Sequence, residues 1–195
     1  MGSDATTMDV REEFVERYVR AILELPQDAK MLCEILDDDD VPEEGRSLLA
    51  GALVSLLQAG DLIPDTWGPL GLADDAITLR LAVARALPEG HPAREPHAKR
   101  FAGFFDELAD DLATARDLLG DTFALFEQRL GRLPHLEHKG KRAATLCQTE
   151  AARAWLYDEV DEAMTDLEID EGELNVAMRR IDPLLTHLKR RLTHR

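Results

Sequence analysis

Aromatic residues make up only 5% of this 195-residue chain, and there are two cysteines. So few rings exclude the stacking platforms on which single-stranded nucleic acids lie. Cys33 and Cys147 stand far apart in sequence, which gives neither a disulfide framework nor a zinc knuckle. Positive charge is scarce as well: 23 Lys and Arg face 39 Asp and Glu, for a net charge of −16. Phosphate contacts need a positive face, so no nucleic-acid partner is expected. Long apolar runs are missing too. The longest stretch without a charged side chain, Ser47 to Gly60, has 14 residues, where a spanning helix needs about twenty. Met1 to Asp9 are small and polar and lack the basic and apolar regions of a secretory signal. A cytoplasmic location is the expectation.

What is present is helical. The chain is 45% hydrophobic with a mass of 21.8 kDa, which suits one domain that buries roughly 70% of its unfolded surface. Asp9 and Glu12 have capping-box spacing, and Val10, Phe14, Tyr18, Val19, Ile22 and Leu23 follow at helical intervals. Pro26 is expected to stop that helix and Asp28 to cap a short second one. Pro42 opens a third, running to about Gln58. Asp74-Asp75 opens another through Ile77, Leu79, Leu81, Val83 and Leu87. Residues 88–96, with three prolines and a glycine, form the main internal linker. One long amphipathic helix is expected from about His97 to Leu130, bent at Gly120. Further helices are expected over 142–167, after the D-x-x-E start at Asp170, and after Asp182-Pro183. No segment alternates like a strand. The expectation is a single all-α domain over 1–195, a bundle of seven to eight helices, with residues 97–195 as the C-terminal helices.

Charge is distributed unevenly. Residues 1–128 carry the whole net −16, whereas residues 179–195 are net +5. The simplest account is that terminal basic residues complement helix dipoles and pair with acidic neighbours. The sharper one is that the last helix docks on an acidic surface.

Residues 61–75 form a long connection between two helices, where two to eight residues are usual. Gly60 suits the left-handed position that ends a helix. Leu62 and Ile63 are placed to fold back over the hairpin core. Pro64, Gly68, Pro69 and Gly71 set turn positions, and Trp67 is large enough to plug the open end. Asp74 is expected to cap the next helix, Asp75 to sit at its positive end, and Asp61 and Asp65 to accept hydrogen bonds from loop amides.

This segment, D-L-I-P-D at Asp61 to Asp65, then Gly71 and Asp74-Asp75, resembles the signature of the YkvA-like family (DUF1232, a domain of unknown function). The likeness covers residues 48–87. It departs from the family pattern at Ala59, where a proline is usual, and at Gly68, where the mid-loop proline stands one residue later, at Pro69. The resemblance implies a helical hairpin with an ordered connecting loop and no established activity.

Three functions follow as expectations. The first is a non-enzymatic interaction or scaffold module, self-associating or binding a protein partner, without a cofactor and with no catalytic residue assigned. The second is an enzyme in which Asp61, Asp65, Asp74 and Asp75 converge on Mg²⁺ or Ca²⁺, acting on a phosphate ester. The third is a peripheral membrane module that offers Ile63, Trp67 and Leu70 to a lipid interface. His135, His138 and Cys147 have the residue types of a zinc site but lack a fourth ligand nearby.

Overall fold

Apolar residues at three- and four-residue spacing become helix along almost the whole chain. The computed structural model describes residues 9–58 and 62–193; the side chains of Asp65 and Thr66 lie outside that description. Eleven α-helical segments occur among the described residues, the shortest of four residues. They are α1 (Val10–Leu23), α2 (Leu25–Leu36), α3 (Glu43–Leu56), α4 (Ala73–Ala86), α5 (Arg94–Arg100) and α6 (Ala102–Leu119). The remainder are α7 (Ala124–Leu130), α8 (Ala143–Leu146), α9 (Glu150–Thr165), α10 (Glu171–Met178) and α11 (Ile181–Thr193). The all-α class holds, with more segments than seven or eight because several expected helices are divided.

Each division has a local cause. Glu24 ends α1 and leads into α2, so Pro26 starts a helix instead of stopping one. A proline in the first turn lacks an N–H that would be unpaired there anyway. Asp28, expected as a cap, lies inside α2 with its carboxylate buried. The long central helix is broken twice. Phe101 leaves helical geometry at ψ 44°, and Gly120 takes φ 52° before a 3-10 turn over Gly120–Phe123. A side chain at Gly120 would meet the Cβ penalty of the left-handed region. The segment 142–167 contains α8 and α9, with Thr149 capping α9 through the amide of Ala152 at 3.2 Å. A two-residue antiparallel ribbon, β1 (Glu137–His138) with β2 (Lys141–Arg142), interrupts the helices. Its turn uses Gly140 at φ 76°. Asp170 caps α10 as its spacing indicates, accepting from the Glu173 amide at 2.7 Å. Asp9 caps α1 through the Arg11 amide at 3.4 Å, one position earlier than a capping box requires.

The centre of the bundle is α4. Every residue from Ala73 to Val83 is buried, so this helix has no wet face. α3 lies along it, and α1, α6 and α7 pack on its other sides. α2 leans on α3 and α9, while α10 rests against α1. The linker shortens to residues 88–93, and buried side chains from both sides of it join one apolar cluster. No helix among the described residues is long and apolar enough to cross a membrane.

One close approach fixes how α3 meets the chain before the ribbon. A Cβ on Gly51 would lie 2.3 Å from the carbonyl oxygen of Leu133. Backbone has to move to admit it. Gly51→Ala is therefore expected to lose about 1–3 kcal/mol in urea unfolding, despite alanine's better helix propensity. A neutral or stabilising result would show that the contact is slack.

Candidate functional site

The motif connection is built around Leu62. Pro64 leads into a 3-10 segment over Asp65–Leu72, interrupted at Gly68, whose φ of 64° and ψ of −141° depart from any helix. Leu62, Ile63 and Leu70 are buried, so the first two do fold back over the hairpin. Leu62 is held at both its polar ends. Its amide donates to Asp74 Oδ2 at 2.8 Å. Its carbonyl meets His187 Nε2 and Arg191 Nη1 of α11, each at 3.0 Å. Trp67 is half-buried and lies edge-on to the His187 ring, with centroids 5.2 Å apart. Part of the basic last helix thus docks on the chain's own loop.

Asp74 is fully buried. It does not cap α4, whose cap position is Leu72. Its carboxylate turns back across the connection instead, reaching the Ile63 amide at 3.4 Å and Arg129 Nη1 at 3.5 Å as well. That is the loop-amide role expected of Asp61 and Asp65. Gly60 and Asp61 fall outside the described residues, as does the Asp65 side chain. Asp75 faces an open groove of about 500 Å³ shared with His138, Lys139 and Glu159. There Glu159 pairs with His138 at 2.9 Å and Lys139 at 2.5 Å. Cys147 is buried and its thiol donates to the Ala144 carbonyl, so His138 and Cys147 have different partners. Among the described residues, no group of three or more His, Cys, Asp or Glu is placed to hold a metal ion. Ile63 and Leu70 are inside the protein and reach a lipid interface only if this connection opens.

The densest polar constellation lies elsewhere, and the motif gives no hint of it. Arg80, on the buried face of α4, is 2% exposed. Its Nε donates to Asp111 Oδ2 at 2.8 Å and its Nη1 to Asp28 Oδ2 at 3.2 Å. The guanidinium also stands 5.2 Å from the Phe104 ring centre. Asp111 Oδ1 accepts from Arg17 at 3.2 Å and Arg20 at 3.4 Å, and both arginines reach Glu107. Arg17 continues to Glu13 at 3.0 Å, and the Tyr18 hydroxyl donates to the Asp111 carbonyl at 3.2 Å. Burial is the largest influence on Asp28 and pushes its carboxyl up to about 7, against the pull of Arg80. A carboxylate so displaced beside a cleft is a candidate acid or base. The adjoining cavity of about 440 Å³ is lined by Asp28, Gln27, Met31, Phe104 and arginines, without a Ser, Thr, Cys, His or Lys. The nucleophilic candidates in that lining are the carboxylates of Glu24, Asp28 and Glu107. Cys33 is no better placed for such chemistry, because burial pushes its thiol up to about 12. The arrangement gathers carboxylates from two helices around one buried guanidinium. Its one signal in the sequence is that Arg80 stands alone between Asp75 and Arg85 in an otherwise uncharged run.

No family model, curated protein or solved structure matches the chain.

The contacts of the motif connection lead to two predictions. Asp74→Ala should destabilise the fold by about 1–3 kcal/mol, because it strands the buried Leu62 amide. The melting temperature of the wild type should not shift with millimolar Mg²⁺ or Ca²⁺; a rise with the logarithm of cation concentration would indicate binding to the folded state. For the Arg80 network, Asp111→Ala should cost roughly 3–5 kcal/mol, since it leaves buried guanidinium charge without its main partner. Asp28→Asn should act through pH. The carboxyl of Asp28 titrates near 7 when folded, against about 4 unfolded. Between those values the folded chain holds the extra proton. Its contribution to stability is therefore complete below about pH 4 and declines as pH rises toward 7. Urea unfolding from pH 4 to 8 should show this decline in the wild type and a flatter profile in Asp28→Asn. Identical profiles would remove the assignment.

Proposed function

We propose that this protein is a non-enzymatic helical interaction or scaffold module, built on a YkvA-like hairpin and working in the cytoplasm. The observation that carries this reading is where large apolar side chains remain exposed. Among the described residues these are Val10 at 39% and Val176 at 55%. They belong to α1 and α10, the two helices that flank an open groove of about 980 Å³, although neither valine lines the groove itself. The carboxylates that sequence reasoning offered to a metal have a structural competitor, because Asp74 is engaged with loop amides. Self-association is the weaker form of the reading. Two copies at −16 each repel before their apolar surfaces meet.

The test is selection of a random helical-peptide library on the full chain. The control is Val10→Asp/Val176→Asp, which changes exposed positions and should keep helicity and melting temperature. Peptides enriched on the wild type should lose most of their binding to the control. If selection enriches nothing beyond the control, and light scattering gives 21.8 kDa at every concentration, the interaction reading fails.

A further inference from the structure

The groove between α1 and α10 has a chemistry of its own. On α1, Glu12, Val15, Glu16, Val19 and Leu23 recur at three- and four-residue spacing, so one stripe of the helix faces it. Val15, Val19 and Leu23 form an apolar floor with Ile181 from the start of α11. Above that floor stand Glu12, Glu16, Glu24 and Glu171, all exposed, and none of these carboxylates makes a salt bridge to another described residue. The basic residues at the same groove are mostly engaged. Arg11 holds Asp182 at 2.7 Å, and Arg20 reaches Glu107 at 3.2 Å and Asp111 at 3.4 Å. Arg179 is exposed at the α10 edge. The result is an apolar trough whose lining carries five acidic side chains, Asp9 included, against three arginines, on a molecule already at −16.

We propose that this groove binds a basic amphipathic helix of a partner protein, with apolar side chains on the Val15–Val19–Leu23 floor and Lys or Arg against Glu12, Glu16, Glu24 and Glu171. The inference rests on the interaction reading above and adds the chemistry of the partner. Val15, Val19 and Leu23 stand at i, i+4 and i+8 on α1, a continuous apolar line against which the apolar face of a docked helix can lie. Cationic side chains would remove the mutual repulsion of the rim, and the field of the whole molecule would steer them in. A second copy offers the opposite: an acidic rim against an acidic rim.

The experiment titrates three synthetic helices with the same Leu pattern, carrying Lys, Gln or Glu on the polar face, into the full chain by fluorescence anisotropy. Two charge-matched variants separate the groove from the general acidity. Glu12→Lys/Glu16→Lys cancels the negative charge of the four rim glutamates. Glu89→Lys/Asp106→Lys makes the same change in net charge at exposed positions outside the groove. The Lys helix should bind the wild type, lose about tenfold or more in affinity with the rim variant, and lose less than about twofold with the distal one. Its binding should also weaken with salt. Equal losses in both variants would mean unspecific attraction and overturn the proposal. Equal binding of the Gln or Glu helix would also overturn it, while leaving the groove a docking face. Binding of none, or a dimer that occludes the groove in light scattering, overturns it too. Whether the interaction reading survives that outcome is decided separately by the library selection.

Discussion

Arg80 is the constraint around which the helices are arranged. α4 is enclosed on every side, so a guanidinium placed there has no route to water and cannot shed its charge. Desolvating it costs several kcal/mol unless carboxylates meet it with good geometry. Asp28 comes from α2 and Asp111 from α6, which ties three helices to one point. Arg17 and Arg20 draw α1 into the same cluster through Asp111. The close-packed core already resists sliding, and two directed carboxyl contacts on one guanidinium add a polar constraint on the same register. The network contributes less to net stability than to fixing which faces of α1, α2 and α6 meet α4.

Leu62 plays the corresponding part for the far end of the chain. Its amide is held by the first turn of α4 and its carbonyl by α11. The connection and the last helix therefore stabilise each other: α11 has a polar anchor because Leu62 is fixed, and Leu62 is fixed because Asp74 turns away from capping its own helix. Arg11 and Asp182 close the circuit back to α1 at 2.7 Å. That pair is exposed and screened, so it guides the placement of α11 more than it secures it.

Periodicity made the helices legible, together with the α10 cap at Asp170 and the buried return of Leu62 and Ile63. Their breaks were not, because Phe101 and Gly120 interrupt an apolar stripe that continues in phase on both sides. Pro26 was misleading for a related reason: one residue type ends a helix or begins one depending on where the preceding turn closes. Asp74 and Asp28 show the limit for side chains. Both stand where caps belong, but a cap is settled by local spacing, and both carboxylates answer partners brought close by tertiary packing. Asp28 is 52 residues from Arg80 in sequence, and nothing in the spacing of either residue records that encounter. The α1–α10 groove was hidden similarly, since Glu12, Glu16 and Glu24 read as an ordinary wet face of α1 until α10 is seen beside it.

The acidity of the molecule has two distinct roles, which the net charge alone cannot separate. Asp28, Asp74, Asp75 and Asp111 are the carboxylates reported as buried, and Asp28, Asp74 and Asp111 all receive donors from other elements. These few of the 39 acidic residues serve the interior. The other acidic residues among those described stand in water or at half-buried edges, where they add little to stability. At physiological salt such charges act over roughly 8 Å. Glu12 and Glu16, one turn apart on α1, lie within that range and reinforce one another, while carboxylates farther apart are screened from each other. Crowding at the α1–α10 rim raises the local potential without any buried charge, and the apolar floor beneath it keeps that potential from being the whole basis of binding. A fold held together inside by arginine and aspartate can still leave one face acidic, and the two sets of charges meet at Arg20, which lines the groove and reaches Asp111.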